Sequence, residues 1–375
     1  MKRILKMISL VLVVSMMLCA CGKSQTPVAE SSKPADTPAA AEGSESADAP
    51  AAAESNEPAA EPLRVAFITW EAQGDNGFCD SCVSGVKRIA EEFGCEYTIL
   101  EAAGDTSKYT QMVDTCFQWG PDVVFASPNG FEEQLCKYAD ENPDIKIINI
   151  DTVLDNPNKT ISSVQFVQEE GSFMAGVVAA LVTEGDLEYS NEEKIVGAIG
   201  GNDIAVIRSF IHGYEQGVAY VNPEIKVETS FLGDFMDPVL GKQAANQLYA
   251  KGCDIVYQIA GVSGDGVLEA AGENQKYAIG VNSNQNGNVP GYVVTSMVKD
   301  CGGAIYDIFC KIQDGTYEDG SHYRNYYGEG GTYIAIDEYT ESILTPEMMD
   351  FVKETEEKLK SGEIKVELYP EFWVE

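Results

Sequence analysis

The chain has 375 residues, and 60 acidic against 25 basic side chains leave a net charge of −35. A field of that sign repels nucleic acid and anionic lipid head groups, which argues against both as direct partners of the folded body. The acidic surface says little about which small molecule, if any, the protein holds.

At the start of the chain, Lys2, Arg3 and Lys6 precede an apolar run from Ile8 to Met17. This is a charged n-region followed by a short h-region, the pattern of a signal peptide over residues 1–20. The run is too short to span about 30 Å of hydrocarbon comfortably. Leu18-Cys19-Ala20-Cys21-Gly22 resembles the lipobox of bacterial lipoproteins, which makes Cys21 the expected lipidation site and first mature residue. Two acyl chains there would anchor the protein stably, facing the extracytoplasmic side of the cell membrane, with no other contact to lipid. Residues 21–62 hold almost only Ala, Glu, Ser, Pro, Asp and Thr beyond the anchor, so they cannot bury a core and are expected to form a disordered acidic stalk.

The remaining body, about 310 residues, exceeds the size at which single cores stop growing, so two lobes are expected. Continuous β-branched runs at Val65–Thr69, Glu96–Leu100, Asp122–Ala126 and Ile145–Ile150 alternate with helically spaced apolar residues such as Val83, Val86, Ile89 and Phe93. A helical stretch from Gly171 to Val182 follows, and the pattern restarts at Ile195–Ile199, Val227–Leu232, Asp254–Ile259 and Tyr277–Val281. Strand and helix in alternation imply parallel sheets with right-handed crossovers, hence an α/β chain of two doubly wound lobes joined by a hinge. An apolar run at Tyr292–Thr295, a helix near Gly302–Ile312, a strand at Thr332–Ile336 and an amphipathic helix at Pro346–Leu359 close the chain. The expected division is 63–153 plus about 286–333 for lobe 1, and 154–285 plus about 334–375 for lobe 2.

Eight cysteines lie in the body, including Cys79-x-x-Cys82, but the chain has only His212 and His322 to complete a zinc site. Buried thiols or a few structural bridges are expected, with no metal and no cofactor. In open parallel sheets, ligands sit beyond the carboxyl ends of the strands. Those positions hold Trp70, Asp75 and Phe78 after the first strand and Asp151 after the fourth. In the second block they hold Phe235, Gly261, Gly264, Asn282 and, after the Tyr292–Ser296 run, Lys299. Aromatic platforms with short polar groups suit a flat, hydroxyl-rich ligand. Asp, Asn and Gly are also what turns and helix caps demand, whereas Phe78 and Phe235 are poor turn residues.

The segments Gly74–Phe78, Glu170–Gly176, Gly233–Pro238, Ile279–Gln285 and Thr295–Lys299 resemble, in order and spacing, the basic membrane protein family of substrate-binding lipoproteins, a group that includes purine nucleoside receptors. The resemblance implies a type I periplasmic-binding-protein fold, monomeric, closing over a nucleoside for an ABC importer's permease and ATPase subunits. It implies that Phe78 and Phe235 stack on the two base faces, while Asp151, Asn282 and Lys299 hold the ribose hydroxyls. The sequence departs from the pattern at Trp70, near where relatives carry an acid that meets the base edge, and at Asn282, where they carry Asp. A sugar or another purine derivative is the alternative ligand, and a ligand-sensing surface lipoprotein the alternative role.

Catalysis finds little support. Ser296-x-x-Lys299 lacks the partner motifs of penicillin-interacting enzymes. Gly261–Gly266 has neither the dinucleotide nor the P-loop spacing. A nucleoside hydrolase using Asp75 and Asp151 is the enzyme alternative, and no catalytic residue is expected.

Overall fold

In a computed structural model of the chain, which describes residues 61–373, twelve strands and ten α-helices alternate from Arg64 onward. The expected signal peptide, Cys21 and nearly all of the stalk lie outside the described residues. The first half runs β1 (Arg64–Thr69), α1 (Phe78–Phe93), β2 (Glu96–Glu101), α2 (Tyr109–Trp119), β3 (Val123–Ser127), α3 (Glu132–Glu141), β4 (Lys146–Ile150) and β5 (Ile161–Phe166). The second runs α4 (Gln168–Glu184), β6 (Ile195–Gly200), α5 (Ala205–Val221), β7 (Lys226–Phe231), α6 (Pro238–Ala250), β8 (Ile255–Ile259), α7 (Ser263–Asn274), β9 (Tyr277–Asn282) and β10 (Val293–Lys299). After these come α8 (Cys301–Gln313), β11 (His322–Asn325), β12 (Thr332–Ile334), α9 (Glu338–Ile343) and α10 (Pro346–Lys360).

The strands form two six-stranded sheets, ordered β11-β5-β4-β3-β1-β2 and β12-β10-β9-β8-β6-β7. Every pairing is parallel except β10 with β12. Both sheets repeat one winding, with the strand order reversing beside β1 in the first and beside β6 in the second. Each reversal opens a crevice at the carboxyl ends of the strands, where adjacent connections leave on opposite faces.

The chain passes between the lobes after β5, after β10 and after β11. These crossings correct the expected division. Ile161–Phe166 was assigned to lobe 2 but pairs with β4 in the first sheet, and Val293–Lys299, assigned to lobe 1, pairs with β9 in the second. Thr332–Ile334 likewise lies along β10. Only α8 and β11 of the late elements return to lobe 1, where α8 packs on α1 and β11 extends the sheet beyond β5.

Burial follows the patterning. The central strands β1, β3, β4, β6 and β8 are shielded on both faces, as continuous apolar runs require. Helix α4 is buried along nearly its whole length beneath α5. Glycines let the two backbones meet: a Cβ on Gly217 would lie 1.9 Å from the Phe173 carbonyl oxygen, and one on Gly176 would lie 2.2 Å from that of Tyr214. All eight cysteines of the body are free thiols, five of them buried.

Candidate functional site

The crevices of the two sheets face each other across one cavity of about 210 Å³. Seven of the nine expected ligand-binding residues line it: Trp70, Phe78 and Asp151 from lobe 1, and Phe235, Gly261, Asn282 and Lys299 from lobe 2. The lobes touch at its rim. Trp70 meets Phe235 edge to face, with ring centroids 5.5 Å apart and planes at 70°.

Lys299 ends β10 and is 2 % exposed. Its Nζ donates to Asp151 Oδ1 across the lobes at 2.6 Å. The rings of Phe210, Phe78 and Phe166 stand 5.0, 5.1 and 5.6 Å from the ammonium. Burial by itself would lower the lysine pKa, but the neighbouring Asp151 charge and hydrogen bond outweigh it and leave the group raised, so the ammonium is held charged. A cation among aromatic faces, held by one carboxylate, keeps N–H bonds available to a ligand oxygen.

The strand ends that face the cavity carry unusual backbone. Asp151 has φ +83° and Asn282 φ +64°, the left-handed region that Asx residues enter more readily than most. Each conformation turns the chain sharply out of a strand, β4 in one lobe and β9 in the other, and leaves a short polar side chain at the cavity wall. The Asn282 amide oxygen is shielded and has no protein donor. Gly261, φ +55°, lets its loop pass against Phe235.

Two expected residues do other work. Asp75 lines no part of the cavity: its carboxylate accepts from the backbone N–H groups of Gly77, Cys79 and Asp80 at 2.9–3.0 Å, closing the amino end of α1. Asp at a helix entry satisfies donors that no helical carbonyl can reach. Gly264 faces the core of lobe 2, where a Cβ would lie 1.9 Å from Gln258 Oε1, so its smallness serves the packing of α7 on β8.

The cavity also holds residues that strand-end reasoning passed over. Glu71 follows Trp70 directly, and its Oε2 is shielded without a hydrogen-bond partner. Burial pushes its carboxyl well above the usual range; the charges of Asp75 and Asp151 add to the shift and Lys299 opposes it. Phe210 reaches the cavity from within α5, away from any strand end. Glu71 was legible as the second residue past β1, beside Trp70; Phe210 carried no comparable signal.

Beside the cavity a polar seam joins the lobes. Gln285, 2 % exposed, donates from Nε2 to the Asn76 carbonyl of lobe 1 at 2.9 Å. Ser283 Oγ donates to the same oxygen. Within lobe 2, Gln285 Oε1 accepts from Gln258 Nε2 at 2.7 Å and from the Val281 N–H at 3.0 Å.

Residues 63–368 match the Bmp family, described as PnrA-like substrate-binding proteins of ABC transporters. The chain is 31 % identical over 252 residues to Basic membrane protein A of Borreliella burgdorferi, covering 66 % of this chain and 71 % of that protein. It is 29 % identical over 327 residues to the ABC transporter nucleoside-binding protein BmpA of Lactococcus lactis subsp. cremoris, covering 81 % and 89 %. A solute-binding protein of an ABC transporter system from Aeropyrum pernix shares the fold at 24 % identity and a TM-score of 0.72, covering 81 % of this chain and 93 % of that one. Proteins of this class work on the extracytoplasmic side; no helix among the described residues is long and apolar enough to cross a membrane. The chain therefore belongs to the Bmp family of ABC-transporter substrate-binding proteins: it binds a small-molecule solute for a permease, and it is not an enzyme.

Proposed function

We propose that the chain binds a purine nucleoside between its lobes and delivers it to a permease, held at the membrane through Cys21. The observation that carries this reading is the pairing of aromatic walls from both lobes, Phe78 and Phe235 with Trp70 at the rim, with a polar end formed by Asp151, Asn282 and Lys299. Phe78 and Phe235 stack on the base, which contributes about 1–3 kcal/mol per stacked face and tolerates different bases. The Lys299 ammonium, the Asp151 carboxylate and the Asn282 amide supply donors and acceptors that a ribose satisfies and a bare base does not. A nucleoside-binding relative in Lactococcus lactis supports the choice of ligand.

Calorimetric titration of the purified chain with inosine, guanosine and adenosine tests this reading. Saturable binding to at least one is expected, weakened about tenfold or more by Phe78→Ala or Phe235→Ala. No response to any of the three would remove the nucleoside assignment, and unchanged affinity in both variants would remove the stacking.

A further inference from the structure

After α10 the chain stays on the body and runs back over α5 toward the first lobe. Ile364 and Val366 pack on the core of lobe 2. Gln216, on α5, then holds the main chain at Glu367 in both senses: its Oε1 accepts from the N–H at 2.8 Å, and its Nε2 donates to the carbonyl at 2.9 Å. The path next turns back on itself, with the N–H groups of Phe372 and Trp373 donating to the Tyr369 carbonyl.

One carboxylate oxygen gathers this turn. Glu169 Oε1 accepts from the Tyr369 N–H at 3.0 Å and from the Trp373 indole N–H at 2.7 Å, donors 200 and 204 residues away. Glu169 is fully buried in the first turn of α4, where the chain has just left β5 for the second lobe. Burial pushes its carboxyl up, and the two distant donors pull the other way. The Trp373 ring also lies beneath the Arg324 guanidinium, whose Cζ is 4.9 Å from the ring centroid. Arg324 belongs to β11 and pairs with Gln165 of β5 in the sheet of lobe 1. One indole thus touches both lobes where two of the three crossings run side by side. There the Val167 N–H donates to the Asn325 carbonyl at 2.9 Å, and the Tyr327 N–H donates to Glu170 Oε2 at 2.8 Å.

We propose that residues 364–373 form a hinge strap, fixed to lobe 2 along α5 and latched to lobe 1 through Trp373 and Arg324, which biases the molecule toward its closed form and so strengthens its hold on solute. The latch is made with the lobes together, Trp70 against Phe235 and Gln285 on Asn76. Opening carries β11 away with lobe 1 while Gln216 and Glu169 keep the strap on lobe 2, so the guanidinium has to leave the indole. Arg324 is exposed, and a cation over an aromatic face at an exposed site is a weak tie, one that biases an equilibrium without locking it. The strap acts on closure itself and does not depend on the solute being a nucleoside.

The test uses Arg324→Gln, Trp373→Ala and the double variant in the full chain. Two readouts cover both positions of the equilibrium. The radius of gyration of the ligand-free chain, from small-angle scattering, moves if that chain is mostly closed; calorimetric affinity for inosine, guanosine and adenosine moves if it is mostly open. Arg324→Gln is expected to show a larger radius, an affinity about threefold weaker, or both, with its urea midpoint unchanged. The double variant should open no further than Trp373→Ala alone, because the two substitutions cut one contact. Arg324→Gln with radius and affinity both unchanged, or full additivity in the double variant, would overturn the strap. If the unchanged chain binds none of the three nucleosides, the ligand assignment fails by itself and the scattering alone decides the strap, an unchanged radius in Arg324→Gln and Trp373→Ala overturning it.

Discussion

The seam at Gln285 offers a way to move the lobes without touching the cavity. Gln285→Ala removes the cross-cleft bond to the Asn76 carbonyl and strips the Gln258 amide and the Val281 N–H of their acceptor. The net loss of one inter-lobe hydrogen bond is about 1 kcal/mol, while two buried donors left unsatisfied within lobe 2 cost about 1–3 kcal/mol each. The first term shifts the balance between closed and open forms about fivefold; the second lowers stability in both. Ser283→Ala separates them, because the Ser283 hydroxyl bonds only across the cleft, to the Asn76 carbonyl. Small-angle scattering of the ligand-free chain should show a larger radius of gyration for both variants, and thermal unfolding should fall for Gln285→Ala alone. Trp70 emission should shift as its contact with Phe235 opens. Unchanged scattering and emission in both variants would refute the seam as a determinant of closure.

Gly217→Ala tests the α4–α5 crossing. Alanine is the better helix former by about 1 kcal/mol, but a Cβ 1.9 Å from the Phe173 carbonyl oxygen forces the helices apart, and a net loss of about 2 kcal/mol in urea unfolding is expected; a gain in stability would show that the crossing is looser. Asp265→Asn tests a strained carboxyl. Burial, then the Asp75 charge, push its pKa from 3.8 to about 6. The folded state therefore binds the proton more tightly than the unfolded one, so this group's contribution is fully present below 3.8 and lost as pH rises through about 6. Partial exposure reduces the effect to about 1 kcal/mol, and Asp265→Asn should be more stable by that amount at neutral pH and equal at low pH, a profile that a stability-versus-pH series reads directly. Cys21→Ser should move the protein from the membrane fraction to the soluble one; continued membrane retention would sink the lipid anchor.

Much of the fold was legible because buried parallel strands leave continuous apolar runs: Val65–Thr69, Val123–Ala126 and Ile195–Ile199 could be read directly. Strand β5, Ile-Ser-Ser-Val-Gln-Phe, could not, although every residue in it is buried. Its serines are matched by partners far away in sequence: Ser162 Oγ accepts from Tyr317 Oη at 2.8 Å and from the Ser321 N–H at 3.2 Å. Strand β11, His-Tyr-Arg-Asn, is a polar edge with no apolar signature. Missing β5 as a strand of the first sheet and placing β10 in lobe 1 displaced the lobe boundaries. The strand-end rule reached Asp151, Asn282 and Lys299, which face one cavity from different strands. It failed for Asp75 because a helix cap and a binding residue call for the same side chain, and it could not find Phe210 in mid-helix.

The late return of α8 and β11 to the first lobe bears on how the molecule is born. Contacts such as Lys146 to Asp319 join residues 173 apart, with five of the second sheet's six strands lying between them in the chain. During synthesis the first sheet must therefore wait with β5 as a bare edge and the face of α1 without its helix until residues near 325 emerge. Neither lobe can be finished as a bead before the other begins, so folding is non-local and slow to commit.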